Sequence, residues 1–279
     1  MLRADAFATL YLFHPIRKRI SSREGRVPIL MYHSVSDGRK EKRHPYYQTV
    51  TTPAAFASQM KFLHDHGHAV VNLDQAVASL HQPDGPAKRP VVITFDDGYR
   101  DFYVHAAPVL AKYGFSATMF LPTAHVGETH RSFNGAECMT WSEIRDLHKI
   151  GIQFGSHTVT HPHLSEMGVT DVEYEVRQSK AVIEERLGCA VTSFAYPYAF
   201  PEADRPFRQV LRSLLDESGY QCGVSTILGT ADRSDDRYFM KRLPINTWDD
   251  ERLFKAKLDG AYDWLHTVQY ASKLMTNRH

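Results

Sequence analysis

Cysteine is scarce in this sequence, and the few cysteines show no pattern. The 279 residues include only Cys138, Cys189 and Cys222, without any C-x-x-C spacing. An odd number of scattered cysteines gives neither a disulfide framework nor a thiolate metal site. We therefore interpret all three as small buried hydrophobic residues.

The sequence also lacks an excess of either charge. Its 33 Lys and Arg residues balance 32 Asp and Glu residues, so the formal net charge is +1. No overall field therefore favours nucleic acid or an acidic partner, and we expect no nucleic-acid partner. The hydrophobic fraction of 43% and the charged fraction of 23% are ordinary for a globular protein.

Long apolar runs are missing as well. The N-terminal run from Ala6 to Phe13 is too short to cross a bilayer. It has neither the preceding basic cluster nor the A-x-A cleavage pattern of a secretory signal, and His-Pro-Ile-Arg-Lys-Arg follows it. We expect an N-terminal helix packed on the domain; the alternative is a basic-flanked amphipathic segment that makes peripheral contact with a membrane surface. Without a signal, we expect the cytoplasm or the cytoplasmic face of the membrane, and we make no prediction of oligomeric state.

Two common motifs are absent, and their absence narrows the fold. No G-x-G-x-x-G follows a predicted strand, which disfavours a dinucleotide-binding fold, and no G-x-S-x-G is present, which disfavours an α/β serine hydrolase. Strand and helix patterns alternate six or seven times, which predicts a parallel sheet with helical crossovers. An α/β barrel with fewer than eight strands fits best. We divide the chain into an N-terminal extension (1–27), the barrel (28–248) and a C-terminal helix and tail (249–279).

The most informative stretch is Val-Val-Ile-Thr-Phe-Asp-Asp-Gly-Tyr at 91–99. It is typical of a buried strand with two carboxylates, Asp96 and Asp97, at its end. Burying an ionised carboxylate is costly unless a cation or a proton compensates. A strand that stayed extended would send the two carboxylates to opposite faces, so that one could bind a metal while the other remained free. The alternative is an Asp that caps the following helix.

A second stretch, His-Thr-Val-Thr-His-Pro, places His157 and His161 four residues apart after another predicted strand. On a helical turn, both would face one side and could share a divalent ion with an aspartate. Two histidines and one aspartate leave room for water, as in a catalytic site. In a parallel barrel, both stretches lie at the carboxyl-terminal rim of the strands. The alternative is a capped turn whose histidines are hydrogen-bonded.

Three motifs in order carry a family resemblance: Thr94 to Gly98 (TFDDG), Ser156 to Pro162 (SHTVTHP) and Phe194 to Tyr198 (FAYPY). Over roughly 28–245, the chain resembles the polysaccharide deacetylases (NodB-homology, carbohydrate esterase family 4). The opening Pro-Ile-Leu-Met-Tyr-His at 28–33 is similar to the branch that includes poly-N-acetylglucosamine deacetylases. The resemblance implies a distorted, incomplete (β/α) barrel in a single domain.

The resemblance also implies roles for individual residues. Asp97, His157 and His161 would bind a divalent metal, which we take to be Zn²⁺, with Ni²⁺, Co²⁺ and Fe²⁺ as alternatives. Asp96 would be the general base. The backbone N–H of Tyr198 would hold the oxyanion, and His33 would be the general acid.

The sequence departs from the family pattern in three places. Ala195 stands where many members have an arginine, Asn246 stands where many have a histidine, and an Asp-x-x-Asp-Trp motif is missing. These departures make His33 the necessary acid. They also leave Asp96 without the arginine that would orient it.

The predicted function is the metal-dependent removal of N-acetyl groups from an N-acetylglucosamine-type sugar or polysaccharide, with release of acetate. One alternative is a metal-dependent amidase that acts on a small molecule other than a carbohydrate. Another is an inactive glycan-binding protein. Sugar rings could stack on aromatic residues near the rim, each of which could instead serve packing. These residues are Tyr46, Tyr47, Tyr99, Tyr198 and Trp248.

Overall fold

Helices and strands alternate along the chain, as the sequence predicts. The computed structural model describes residues 3–20, 25–37, 46, 48–80 and 90–276. The strands are β1 (Arg26–Val27), β2 (Ile29–Tyr32), β3 (Ser34–Val35), β4 (Val50–Thr51), β5 (Ala69–Val70), β6 (Pro90–Phe95), β7 (Thr118–Leu121), β8 (Ser132–Phe133), β9 (Ala136–Glu137), β10 (Gln153–Ser156), β11 (Ser193–Ala195), β12 (Cys222–Leu228), β13 (Ala231–Asp232) and β14 (Met240–Pro244). The α-helices are α1 (Ala4–Ala8), α2 (His14–Ile20), α3 (Pro53–Asp65), α4 (Leu73–Leu80), α5 (Ala107–Tyr113), α6 (Trp141–Lys149), α7 (Val169–Leu187), α8 (Arg205–Glu217), α9 (Glu251–Leu258) and α10 (Trp264–Thr276).

A ring of seven parallel strands forms the centre of the fold. Its order is β2, β14, β12, β11, β10, β7 and β6, and β6 pairs back with β2 to close it. All six residues of β6 are buried, which explains why its sequence is a continuous apolar run without alternation. The structure confirms the predicted (β/α) barrel, with one strand fewer than the usual eight.

Helix boundaries follow local capping chemistry. Thr140 and Glu143 form a capping box at the start of α6, and Gly188 ends α7 in the left-handed conformation. Asn72 caps α4, because its side chain accepts the Gln75 N–H. One detail of the prediction was wrong: the single C-terminal helix expected within 249–279 is two helices, α9 and α10, separated by a turn.

The N-terminal segment is docked against the last two helices. A π-helical turn (Thr9–Phe13) joins α1 to α2. Arg3 pairs with Asp249 at 3.2 Å, and the Trp264 indole donates to Thr9 at 3.0 Å. The segment is therefore packed on the domain, as we expected; the boundary at residue 27 stays a prediction. Within the described part of the chain, no helix is both long and apolar enough to cross a bilayer.

The cysteines only partly match their predicted burial. Cys138 and Cys222 are buried, whereas Cys189 is half-buried, so the expectation of full burial was wrong for that residue.

Candidate active site

The chain turns sharply directly after β6. Asp97 has a φ of 74° and Gly98 a φ of 66°, so the backbone enters the left-handed region instead of staying extended. Left-handed conformations are uncommon in non-glycine residues and cluster at functional sites. The prediction that Asp96 and Asp97 alternate as in an extended strand was therefore wrong. The turn itself separates the two carboxylates.

Three buried side chains meet at this rim of the barrel. Nε2 of His157 lies 3.6 Å and Nε2 of His161 lies 3.4 Å from Oδ1 of Asp97. One ligand atom from each of the three residues lies within 4.8 Å of the others. We had expected the two histidines to share a helical turn. They do not, because Thr158 and His161 both have positive φ angles. A tight loop after β10 brings them together instead.

Glu175 of α7 supports this loop through hydrogen bonds. We did not identify this residue from the sequence. Its carboxylate is buried and accepts the backbone N–H groups of Val159 and Thr160 at 2.6 and 2.9 Å. It also accepts the Thr160 hydroxyl at 2.7 Å. A glutamate on the buried face of an amphipathic helix was the signal that could have revealed it.

The donor set fits a divalent metal ion. Nδ1 of His157 lies 2.8 Å from the Ala195 carbonyl, which can only accept, so Nδ1 carries a proton and Nε2 is the ring atom that faces Asp97. Burial, followed by the nearby His157, lowers the pKa of His161 to about 2, so the His161 imidazole is neutral. Two imidazoles and one carboxylate are the ligands of an open, catalytic zinc-type site.

Asp96 is held by an arginine that the sequence analysis did not consider. Arg242 of β14 donates to both carboxylate oxygens of Asp96, at 2.7 and 2.8 Å. Its Nε donates to the Ser225 carbonyl at 2.9 Å, and its side chain is fully buried. Burial alone would raise the pKa of Asp96. The positive charge of Arg242 outweighs burial, with help from His157, and holds that pKa well below its usual range.

A sequence signal for Arg242 was present. The buried residues of β14 are Met240, Arg242 and Leu243, whereas Lys241 is only partly buried. An arginine at an inward position of an apolar strand needs a buried acidic partner. Because β14 and β6 flank β2 in the ring, the ends of these strands bring Arg242 to Asp96.

His33 and Tyr198 also lie at this rim. His33 follows β2, and its Nε2 is 3.9 Å from Oδ2 of Asp96. Tyr198 has a φ of 56°, and its ring lies 4.5 Å from that of His161. The same ring stacks on His163 at 3.9 Å, a residue to which the sequence analysis gave no role.

Asn246, in the position of the expected family histidine, serves the backbone. Its side-chain oxygen accepts the Trp248 N–H at 2.9 Å, and its amide donates to the Gln48 carbonyl at 3.0 Å. These two bonds hold the loop that follows β14. The structure thus gives Asn246 a local structural role.

The predicted sugar-stacking residues differ in exposure. Trp248 and Tyr198 are exposed, whereas Tyr99 is buried and stacks on Phe133. Tyr46 is partly buried and packs on the core. Tyr47 lies outside the described residues. The exposed pair remains available to a sugar, while Tyr99 and Tyr46 contribute to packing.

Comparison with known proteins identifies the family. The polysaccharide deacetylase family model matches residues 84–220. The chain is 30% identical over 226 residues to YxkH of Bacillus subtilis, a protein assigned to the polysaccharide deacetylases; the match covers 81% of this chain and 74% of that protein. It is 24% identical over 263 residues to the poly-beta-1,6-N-acetyl-D-glucosamine N-deacetylase of Staphylococcus aureus, covering 88% of this chain and 87% of that enzyme.

A solved structure shares the fold. The deacetylase PplD of Streptococcus pyogenes superimposes with a TM-score of 0.72, at 24% identity, over 84% of this chain and 99% of that one. The family model and the YxkH match extend this likeness from fold to family. The chain therefore belongs to the polysaccharide deacetylases (NodB-homology, carbohydrate esterase family 4) and is a hydrolase of the carbohydrate deacetylase type.

Proposed function

We propose that the enzyme hydrolyses N-acetyl groups of an N-acetylglucosamine-type polysaccharide and releases acetate. The observation that carries the proposal is the division of the two adjacent carboxylates. Asp97 groups with His157 and His161, whereas Asp96 is held ionised by Arg242. This arrangement separates the metal ligand from the base, as amide hydrolysis requires.

Asp97, His157 and His161 would hold the metal, and zinc is our first choice by ligand type. A divalent ion bound there would polarise the acetamide carbonyl and lower the pKa of a water molecule toward ~7. Deacetylation by this site would then depend on metal. Nickel, cobalt and iron accept the same ligands.

Asp96 is the general base in this proposal. Arg242 occupies one lone pair on each carboxylate oxygen and keeps the group ionised, while each oxygen retains a second lone pair. The carboxylate removes a proton from the attacking water, whose oxygen bonds to the carbonyl carbon. The fixed Arg242 contact orients the base before substrate arrives.

His33 and Tyr198 complete the reaction. The oxyanion that forms at the carbonyl would be held by the backbone N–H of Tyr198. His33, whose Nε2 lies 3.9 Å from Oδ2 of Asp96, would protonate the sugar nitrogen as the C–N bond breaks. The nitrogen needs that proton because it cannot leave as an anion near neutral pH. Acetate and a free amine result.

The substrate class rests on two likenesses. The Staphylococcus aureus relative, matched over most of both chains, is named for its action on poly-beta-1,6-N-acetyl-D-glucosamine. The opening Pro-Ile-Leu-Met-Tyr-His, which supplies His33, is similar to the same branch. We therefore place an N-acetylated glycan, not a small amide, in the site.

Acetate release from a panel of N-acetylated glycans, with and without a chelator, tests the proposal. We expect release from N-acetylglucosamine oligomers that stops on chelation and returns when zinc is added. Release only from small amides would favour an amidase. Glycan binding without acetate release, in metal-loaded protein, would indicate an inactive binding protein.

A further inference from the structure

The N-terminal helix exposes four large apolar side chains to water. Phe7, Tyr11, Leu12 and Ile16 each expose more than half of their surface: 57%, 54%, 56% and 53%. Surface helices normally direct their apolar residues to the core and their polar residues outward. We call these four residues the apolar face.

The inward side of the same helix carries three buried polar side chains, Asp5, Thr9 and His14. They lie beside the apolar Leu10 and Phe13, which pack on the core and on the Trp264 ring. Asp5 accepts the Tyr262 hydroxyl at 2.7 Å, and Thr9 accepts the Trp264 indole N–H at 3.0 Å. His14 pairs with Asp259 at 2.9 Å. These contacts come from the turn between α9 and α10 and from the first residue of α10, and they fix the rotation of the helix. The fold itself therefore holds the apolar face in its outward position.

The π-helical turn aligns the apolar face. In a regular α-helix, Phe7 and Ile16 would lie on opposite sides, since nine residues at about 100° each make two and a half turns. A π turn takes more residues per turn and so brings Leu12 and Ile16 back toward the side of Phe7 and Tyr11. The rings of Phe7 and Tyr11 lie 4.9 Å apart on this side.

Basic residues border the apolar face. The Arg252 guanidinium lies 5.7 Å from the Tyr11 ring, and Lys255 lies beside it on α9. Arg17, Lys18 and Arg19 follow Ile16 directly in sequence. Asp259 pairs with His14 and Lys255, and Asp263 pairs with Arg17 and Arg26, so these acids neutralise part of the basic set. Among the described residues, Arg252 keeps its charge at the border without an acidic partner. Glu251 is the exposed acidic residue at the start of α9.

We propose that the apolar face docks on an anionic phospholipid surface, with the helix lying in the plane of the bilayer. Apolar and aromatic side chains bordered by Lys and Arg are the features of helices that bind at this interface. The positive border adds attraction to acidic headgroups. A symmetric contact with a second copy would instead bring the two positive borders close together, which is unfavourable.

Vesicle flotation with the full chain tests the proposal. We expect binding to vesicles of phosphatidylcholine with phosphatidylglycerol, weaker binding to phosphatidylcholine alone, and weakening by salt. The triple variant Phe7→Ser, Leu12→Gln, Ile16→Gln should bind at least about tenfold more weakly, because it loses apolar area. Arg252→Gln should reduce binding only to the anionic vesicles.

A matched control removes equally exposed apolar residues elsewhere. This control is the triple variant Ile150→Gln, Val169→Gln, Tyr174→Ser, which changes one residue next to α6 and two on α7. It should leave vesicle binding unchanged. Both triple variants should keep the melting temperature and acetate release from short soluble N-acetylglucosamine oligomers. Because flotation needs no catalysis, its outcome is independent of the proposed function.

Two results would overturn the proposal. One is vesicle binding that is absent in the parent protein or equal in the parent and the apolar-face variant. The other is a parent protein that sediments as a dimer without binding vesicles, together with a monomeric apolar-face variant. That second result would assign the face to contact between copies.

Discussion

Arg242, from the last strand of the barrel, donates a hydrogen bond to each carboxylate oxygen of Asp96, which follows β6. This pair supplies what the family resemblance left missing. The position where many relatives carry an arginine is Ala195, whose carbonyl instead accepts Nδ1 of His157. In this protein the guanidinium reaches Asp96 from β14, whereas the position of the family arginine is in β11.

Replacing Arg242 with lysine should lower kcat by about 10²-fold with little change in KM. Lysine keeps the charge but cannot donate in a bidentate fork, so Asp96 loses its fixed orientation, and small misplacements of a catalytic group are this costly. Steady-state kinetics on an N-acetylglucosamine oligomer measures the effect.

Arg212→Lys is the matched control, because Arg212 is exposed and pairs with Asp236 on the surface. It should leave kcat unchanged. Two outcomes would show that Arg242 serves stability and not the orientation of Asp96. One is an unchanged kcat in Arg242→Lys; the other is a loss of kcat that a lowered melting temperature fully explains.

The sequence predicted the parts of the site that local motifs encode. TFDDG and the two spaced histidines identify Asp96, Asp97, His157 and His161, because each group sits at the end of a strand whose apolar run is easily recognised. The barrel follows from the same strand–helix alternation. These inferences need no knowledge of which strands become neighbours.

Two features of the site could not be predicted from the sequence. One depends on how the ring of strands closes, and the other depends on backbone angles. Arg242 lies 146 residues from Asp96 in the chain. Only the β14–β2–β6 order brings them together. The positive φ angles of Asp97 and His161 replace the extended strand and the helical turn that we had expected. Neither angle follows from residue type, because both residues are usually found at negative φ.

Replacing His33 with alanine should separate amide from ester hydrolysis. If His33 protonates the leaving nitrogen, deacetylation of an N-acetylglucosamine oligomer should fall by at least about 10²-fold. Hydrolysis of 4-nitrophenyl acetate should be nearly unchanged, because 4-nitrophenolate leaves without a proton. Equal losses on both substrates would contradict the role of general acid and would indicate damage to the site as a whole.

Replacing His161 with alanine should strip the metal. His161 is one of the three side chains that offer a ligand atom, whereas His163 two residues later is exposed and outside that group. Elemental analysis of the purified proteins should find metal in the parent and in His163→Ala, and little in His161→Ala. Equal metal content in all three would refute the ligand assignment.

Replacing Glu175 with glutamine should weaken metal binding without removing a ligand. The glutamine amide would face backbone N–H groups that now donate to a carboxylate, so the loop that carries His161 would loosen. Partners that orient ligands typically contribute about 10- to 100-fold in metal affinity. Competition with a chromogenic chelator measures this change.

Glu173→Gln, an exposed change on the same helix, is the control for Glu175. Its metal affinity should equal that of the parent protein. An unchanged affinity in Glu175→Gln would mean that the loop keeps its shape without the carboxylate.

The central claim is that Asp96, held by Arg242, activates water for deacetylation. Its most direct test is the initial rate of acetate release from N-acetylglucosamine oligomers by parent protein and Asp96→Asn at equal metal content. The account predicts release by the parent and a rate at least about 10²-fold lower in Asp96→Asn. Equal rates in the two proteins, or no acetate from the metal-loaded parent, would contradict it.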